Sequence, residues 1–97
     1  MTRTDLTRVV ETASEELNEL QNRTPAIRAF VSLALCLIAS ALITSKRQSD
    51  LIAMGTLRGS ARVAGEAITG AIQRHPEITV DAARLLDVAA ALVAVGT

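Results

Sequence analysis

Seventeen consecutive residues, Ala29 to Ser45, carry no charge. Extended back to Pro25, the stretch reaches about 20 residues with only Arg28 inside, one turn from its start, where a long aliphatic stem lets the guanidinium reach the interface. At ~1.5 Å per residue, a helix of roughly 20 residues covers the ~30 Å hydrocarbon core of a bilayer. Lys46 and Arg47 close the far end. No face of this helix is polar enough for bulk water: Phe30, Leu33, Leu37, Ile38 and Leu42 make a large apolar side, and Ser32, Cys36, Ala39 and Ser40 a small one. A helix that is apolar all round has to be covered, so 25–45 is expected to be a transmembrane helix or a fully buried one. In the first case Phe30, Leu33, Leu37, Ile38 and Leu42 are the membrane-embedded residues.

The flanking segments are helical too. Over 4–22, Leu6, Val9, Val10, Ala13, Leu17 and Leu20 recur at three- and four-residue spacing, which describes an amphipathic helix. The first 24 residues carry a net charge of minus two. The amino terminus lacks an apolar h-region, so no signal peptide is expected there. Thr24 before Pro25 is a helix-start signal, because Pro fixes φ and has no N–H to leave unsatisfied.

The segment 49–74 opens at Ser49-Asp50, and a break between the second and third helices is expected near 44–49. Met54, Leu57, Ala61, Ala64, Ile68 and Ala71 form a heptad-like seam. Gly55 and Gly59 make one small-xxx-small pair, and Ala61 and Gly65 another. Helical glycine costs up to ~1 kcal/mol relative to Ala, a cost that close helix packing offsets. Gly55, Gly59, Ala61, Ala64, Gly65 and Ile68 are therefore the expected helix-packing residues. His75-Pro76 ends this helix. Thr79 is the expected cap of a last helix over 79–95, whose charge-free end, Val88 to Thr97, is too short to span a bilayer.

The rest of the composition bounds the function. Ninety-seven residues allow one domain, divided into an acidic amphipathic helix (1–24), a hydrophobic helix (25–45) and a small-residue-rich helical pair (46–97). Ten Lys/Arg balance ten Asp/Glu, which leaves no basic footprint for nucleic acid. One Cys and one His cannot build a structural zinc site, and no cofactor is expected. With Phe30 as the only aromatic ring, a small monomeric core lacks the large buried areas that aromatics supply. Self-association or a membrane would supply the missing burial.

Catalytic constellations are absent from the sequence. His75 is the only imidazole and sits at a helix end, Cys36 lies mid-way along the apolar run, and the glycines follow no strand and precede no Lys-Ser/Thr pair. The stretch 79–86 resembles the first helix of a helix-turn-helix regulator, but no basic side chain follows in 89–97 to act from a recognition helix. Residues 70–77 are similar to the polar loop of ATP-synthase ring subunits, yet the chain ends before a second span with a carboxylate. The reading is an all-α, non-enzymatic chain of three to four helices (4–22, 25–45, 49–74, 79–95). Its expected role is a small membrane-associated structural or assembly subunit, such as a virion membrane protein or filament component. Its expected partners are copies of itself or a larger membrane or virion assembly, together with a lipid bilayer, and neither nucleic acid nor a small-molecule substrate. The alternative is a cytoplasmic four-helix module that dimerises or binds a partner protein.

Overall fold

A computed structural model describes all of residues 1–97. The chain is all-helical: α1 (Arg3–Leu20), α2 (Arg28–Ser45), α3 (Asp50–Arg74) and α4 (Ala82–Gly96), with one 3₁₀ turn, Pro25–Ile27, leading into α2. The helices form an elongated bundle with principal extents of 43 × 21 × 16 Å. The longest helix, α3, is its spine, packing most extensively against α4 and α2, while α1 touches all three of the others.

Each helix end has a local cause. At the start of α1, Thr2 accepts from the Asp5 amide and Asp5 accepts from the Thr2 amide, both at 3.2 Å, a reciprocal capping box. The helix therefore begins earlier than 4–22 implies, and ends earlier, at Leu20. Thr24 does not cap α2. It is buried, and its hydroxyl donates to the Leu20 carbonyl at 3.0 Å, satisfying the end of α1. Ser49 occupies the N-cap of α3 without a side-chain hydrogen bond, and turn bonds from Lys46, Arg47 and Gln48 to Ile43, Thr44 and Ser45 separate α3 from α2.

The last helix starts three residues later than Thr79 suggests. Thr79 is exposed, and Asp81 holds the N-cap in the left-handed region at φ 62. Asp tolerates this conformation better than most residues. Here its side chain is fixed as well, nine-tenths buried, with Oδ2 2.9 Å from Arg23 Nε. That contact is an ion pair out of line for a hydrogen bond, so Oδ2 remains without one.

The core draws on all four helices. Leu6, Val10 and Leu17 of α1 meet Val31, Ala34 and Ile38 of α2, Leu57, Ala61, Ala64 and Ile68 of α3, and Leu85, Ala89 and Leu92 of α4 in one continuous cluster. The seam on α3 is buried from Leu57 to Ala71, with Met54 half-buried at its start. On α2 the buried residues are Val31, Ala34, Ile38, Ala41 and Ser45. This helix is not fully buried: only 28% of its apolar stretch is covered by the rest of the chain. Its large apolar side is split, because Ile38 is in the core, Leu37 and Leu42 are half-buried, and Phe30 and Leu33 are 36% and 57% exposed.

The small residues of α3 divide in the same way. A Cβ at Gly65 would stand 2.7 Å from both the Ala89 carbonyl oxygen and Val93 Cγ2. On α4, a Cβ at Gly96 would collide with Arg62 Cβ and meet the Arg58 carbonyl oxygen at 2.9 Å. These two glycines let α3 and α4 approach closely. Gly55 and Gly59 have open space around them and take no part in packing within the chain.

Urea unfolding tests this division. Gly65→Ala should cost about 1–3 kcal/mol, the usual penalty for overpacking, whereas Gly55→Ala and Gly59→Ala should each gain about 0.5–1 kcal/mol through helix propensity. The capping box makes a pH prediction. Hydrogen bonds from the Thr2 backbone and hydroxyl hold the Asp5 carboxyl below its ordinary value of 3.8. The contribution to α1 is thus complete above 3.8 and lost as pH falls through the lowered folded value. The Thr2 and Asp5 amide signals should titrate in that acid range, and should cease to do so in Asp5→Asn.

Candidate functional site

The open side of α2 is the least ordinary surface of the molecule. Ala29, Leu33, Cys36, Ser40, Ile43 and Thr44 are exposed along it, bordered by half-buried Ser32, Leu37 and Ala39. These positions recur at three- and four-residue intervals opposite the buried stripe of α2, so they share one face. A helix packed on one side normally turns charged residues to water on the other. Here the water side carries no charge from Ala29 to Ser45, and Ile43 is 64% exposed. Cys36, mid-way along the apolar run, lies on this open face.

The edges of this face continue onto α3. The Arg74 guanidinium stands over the Phe30 ring, 5.3 Å from its centroid, a cation–π contact that ties the far end of α3 to the start of α2. At the other end Gln48 accepts from the Thr56 hydroxyl at 2.8 Å. On the outer surface of α3, Ile52 and Val63 are 58% and 54% exposed, with Gly55 and Gly59 between them. Of the residues expected to pack helices, Ala61, Ala64, Gly65 and Ile68 thus lie inside the bundle and Gly55 and Gly59 outside it.

Charge is segregated by the fold. Residues 25–76, which make α2 and α3, carry plus four: Arg28, Lys46, Arg47, Arg58, Arg62 and Arg74 against Asp50 and Glu66. Both acids are engaged, Asp50 with Arg3 at 2.7 Å and Glu66 with Arg62 at 3.0 Å. Every free charge on that pair of helices is therefore a cation. The remainder of the chain carries the compensating minus four, with Asp5, Glu11, Glu15 and Asp87 outside any ion pair and Arg8 its one unpaired side-chain cation.

On the acidic side α1 and α4 enclose an open groove of about 480 Å³. Its floor is Val9, Ala13, Val88 and Ala91, and its walls include Arg8, Thr12, Glu16, Arg84 and Asp87. Arg84 bridges the two helices, donating to Glu16 Oε2 at 2.9 Å and lying 3.6 Å from Glu19. The bond to Glu16 is the main reason its guanidinium holds its proton more tightly than usual. Sequence periodicity assigns Val9 and Ala13 to the apolar stripe of the first helix, but not to a groove. What hid the groove is the shortness of the α4 side chains: Ala91 leaves it open where a Leu would fill it.

Arg3 is a second residue the sequence left unmarked. Its guanidinium donates to the carbonyls of Ser45 at 2.6 Å and Gln48 at 3.1 Å as well as to Asp50. It thereby satisfies the carboxy-terminal end of α2, where carbonyls lack helix partners and a cation is favoured. Elsewhere polar chemistry is sparse. His75 Nδ1 lies 3.2 Å from Glu77 Oε2 at the surface, and no group of three or more His, Cys, Asp or Glu is placed to hold a metal ion.

No protein-family model matches the chain, and comparisons with curated proteins and with solved structures likewise find no match.

Removing the clamp on the α2–α3 turn should be measurable. Arg3→Ala should destabilise the fold by roughly 1–2 kcal/mol in urea unfolding, mainly through the two carbonyl bonds. Asp50→Ala should cost less than about 1 kcal/mol, because that carboxylate is 81% exposed.

Proposed function

We propose that this chain is a small, non-enzymatic structural subunit that acts by assembling, with the open face of α2 as its contact surface. The observation that carries this reading is the charge-free, solvent-facing side of α2. An exposed apolar strip along a whole helix is a liability to a monomer and an asset to an interface. Supporting it is the zero net charge of a chain whose charges are divided between two sides, since little overall repulsion opposes association.

A bilayer is the second surface such a face suits, and the apolar length of 25–45 favours it. The closed bundle limits how this works. Val31, Ala34, Ile38, Ala41 and Ser45 are buried in the bundle, and the helices beside α2 carry Glu11, Glu15, Arg58 and Glu66. For α2 to span, it would have to leave the bundle or carry those charges into hydrocarbon, at a cost of several kcal/mol. A closed bundle meets a membrane only along the outer side of α2, as an interfacial helix does.

Sedimentation velocity over a concentration series tests the proposal, with flotation on lipid vesicles beside it. The wild-type chain should self-associate in solution. Leu33→Asp with Ile43→Asp should remain monomeric with an unchanged far-ultraviolet circular dichroism spectrum, since both positions are exposed. A wild-type chain that is monomeric at every concentration and floats with vesicles would transfer the role of this face to lipid.

A further inference from the structure

We propose that the chain assembles head to tail, the apolar face of α2 in one copy lying in the α1–α4 groove of the next. This rests on the assembly reading above and names its partner and geometry. The argument begins with what α2 cannot do well, which is pair with itself. The charges at the two ends of its face are cations, Arg28 and Arg74 at one end and Lys46 and Arg47 at the other. A two-fold contact between two α2 faces places cations on cations whether the helices run parallel or antiparallel. Like charges brought together at an interface oppose it.

The complementary surface is on the same molecule. The α1–α4 groove has an apolar floor, is about 480 Å³ in volume, and lies on the side that carries minus four. On its walls Glu16 and Arg84 pair with each other and Asp87 and Arg8 are free, while beyond the rim Glu11 and Glu15 on α1 have no ion-pair partner. The apolar face of α2 meets an apolar floor, and the side of the molecule that carries plus four meets the side that carries minus four. This is helix-in-groove recognition, with α2 presenting residues at three- and four-residue spacing. Because donor and acceptor surfaces differ, a pair of copies retains one of each, and addition can continue. The product is a ring if the rotation closes and a filament if it does not.

Mixing two blocked variants tests this. One carries Leu33→Asp and Ile43→Asp on the α2 face; the other carries Thr12→Arg and Ala91→Arg in the groove. All four positions are exposed, and unchanged circular dichroism verifies folding. Leu33→Asp alone and Ala91→Arg alone serve as lighter substitutes should a double variant unfold. Each variant alone should self-associate at least tenfold more weakly than wild type, and an equimolar mixture should recover association, because each supplies the surface the other lacks. Raising salt should weaken the wild-type assembly. A groove variant that associates as wild type does would overturn the proposal in favour of an α2–α2 contact. A mixture that stays monomeric while wild type assembles would overturn it too, leaving the assembly reading intact. Wild type that never assembles would remove both.

Discussion

The contact on which the bundle depends is the close approach of α3 and α4. It is made by two absent side chains, at Gly65 against the Ala89 carbonyl and Val93, and at Gly96 against the backbone of Arg58 and Arg62. Alanines on both helices extend it: Ala61 and Ala64 face the core on α3, and Ala89 does so on α4. With few large side chains to bury, the chain gains density by bringing backbones together, where dispersion contacts are many and individually small. Once α3 and α4 are joined, the Leu57–Ala71 seam forms a floor on which α1 and α2 can both lie. Loss of this approach would separate α4 from the helix against which it packs most extensively.

Much of this architecture is written in periodicity. The four helices, the seam on α3 and the buried stripe of α1 follow from apolar residues at three- and four-residue intervals, because only one face of each helix can reach the core. The starts of α2 and α4 do not follow. Thr24 and Thr79 both have a capping residue's chemistry, but the first serves the end of α1 and the second is left in solvent, since the ion pair between Arg23 and Asp81 positions the chain before α4. Local propensity cannot register a contact between residues 58 positions apart.

The orientation of α2 was equally hidden. A helix apolar on every side offers no sequence signal for which side faces inward, and a division by residue size places Phe30, Leu33 and Ile38 together. The bundle instead selects the smaller stripe of Val31, Ala34, Ile38 and Ala41. Small residues let α2 sit close to its neighbours, and the bulk of Leu33 and Ile43 is left outside. The charge segregation was half legible: the sign difference along the chain is a matter of counting and Arg62 with Glu66 is an i,i+4 pair, but that Asp50 is also engaged depends on Arg3, 47 positions away.

The order of the helices along the chain has a kinetic side. As the polypeptide is made, α2 is complete before the spine that covers much of its inner stripe has been translated. At roughly 5–20 residues per second, the 25 residues of α3 take about one to five seconds to appear. Throughout that interval α2 is apolar on both its inner and outer sides and has only α1 to shelter it. A slower passage through 50–74 lengthens the time for which the inner stripe of Val31, Ala34, Ile38 and Ala41 lies open.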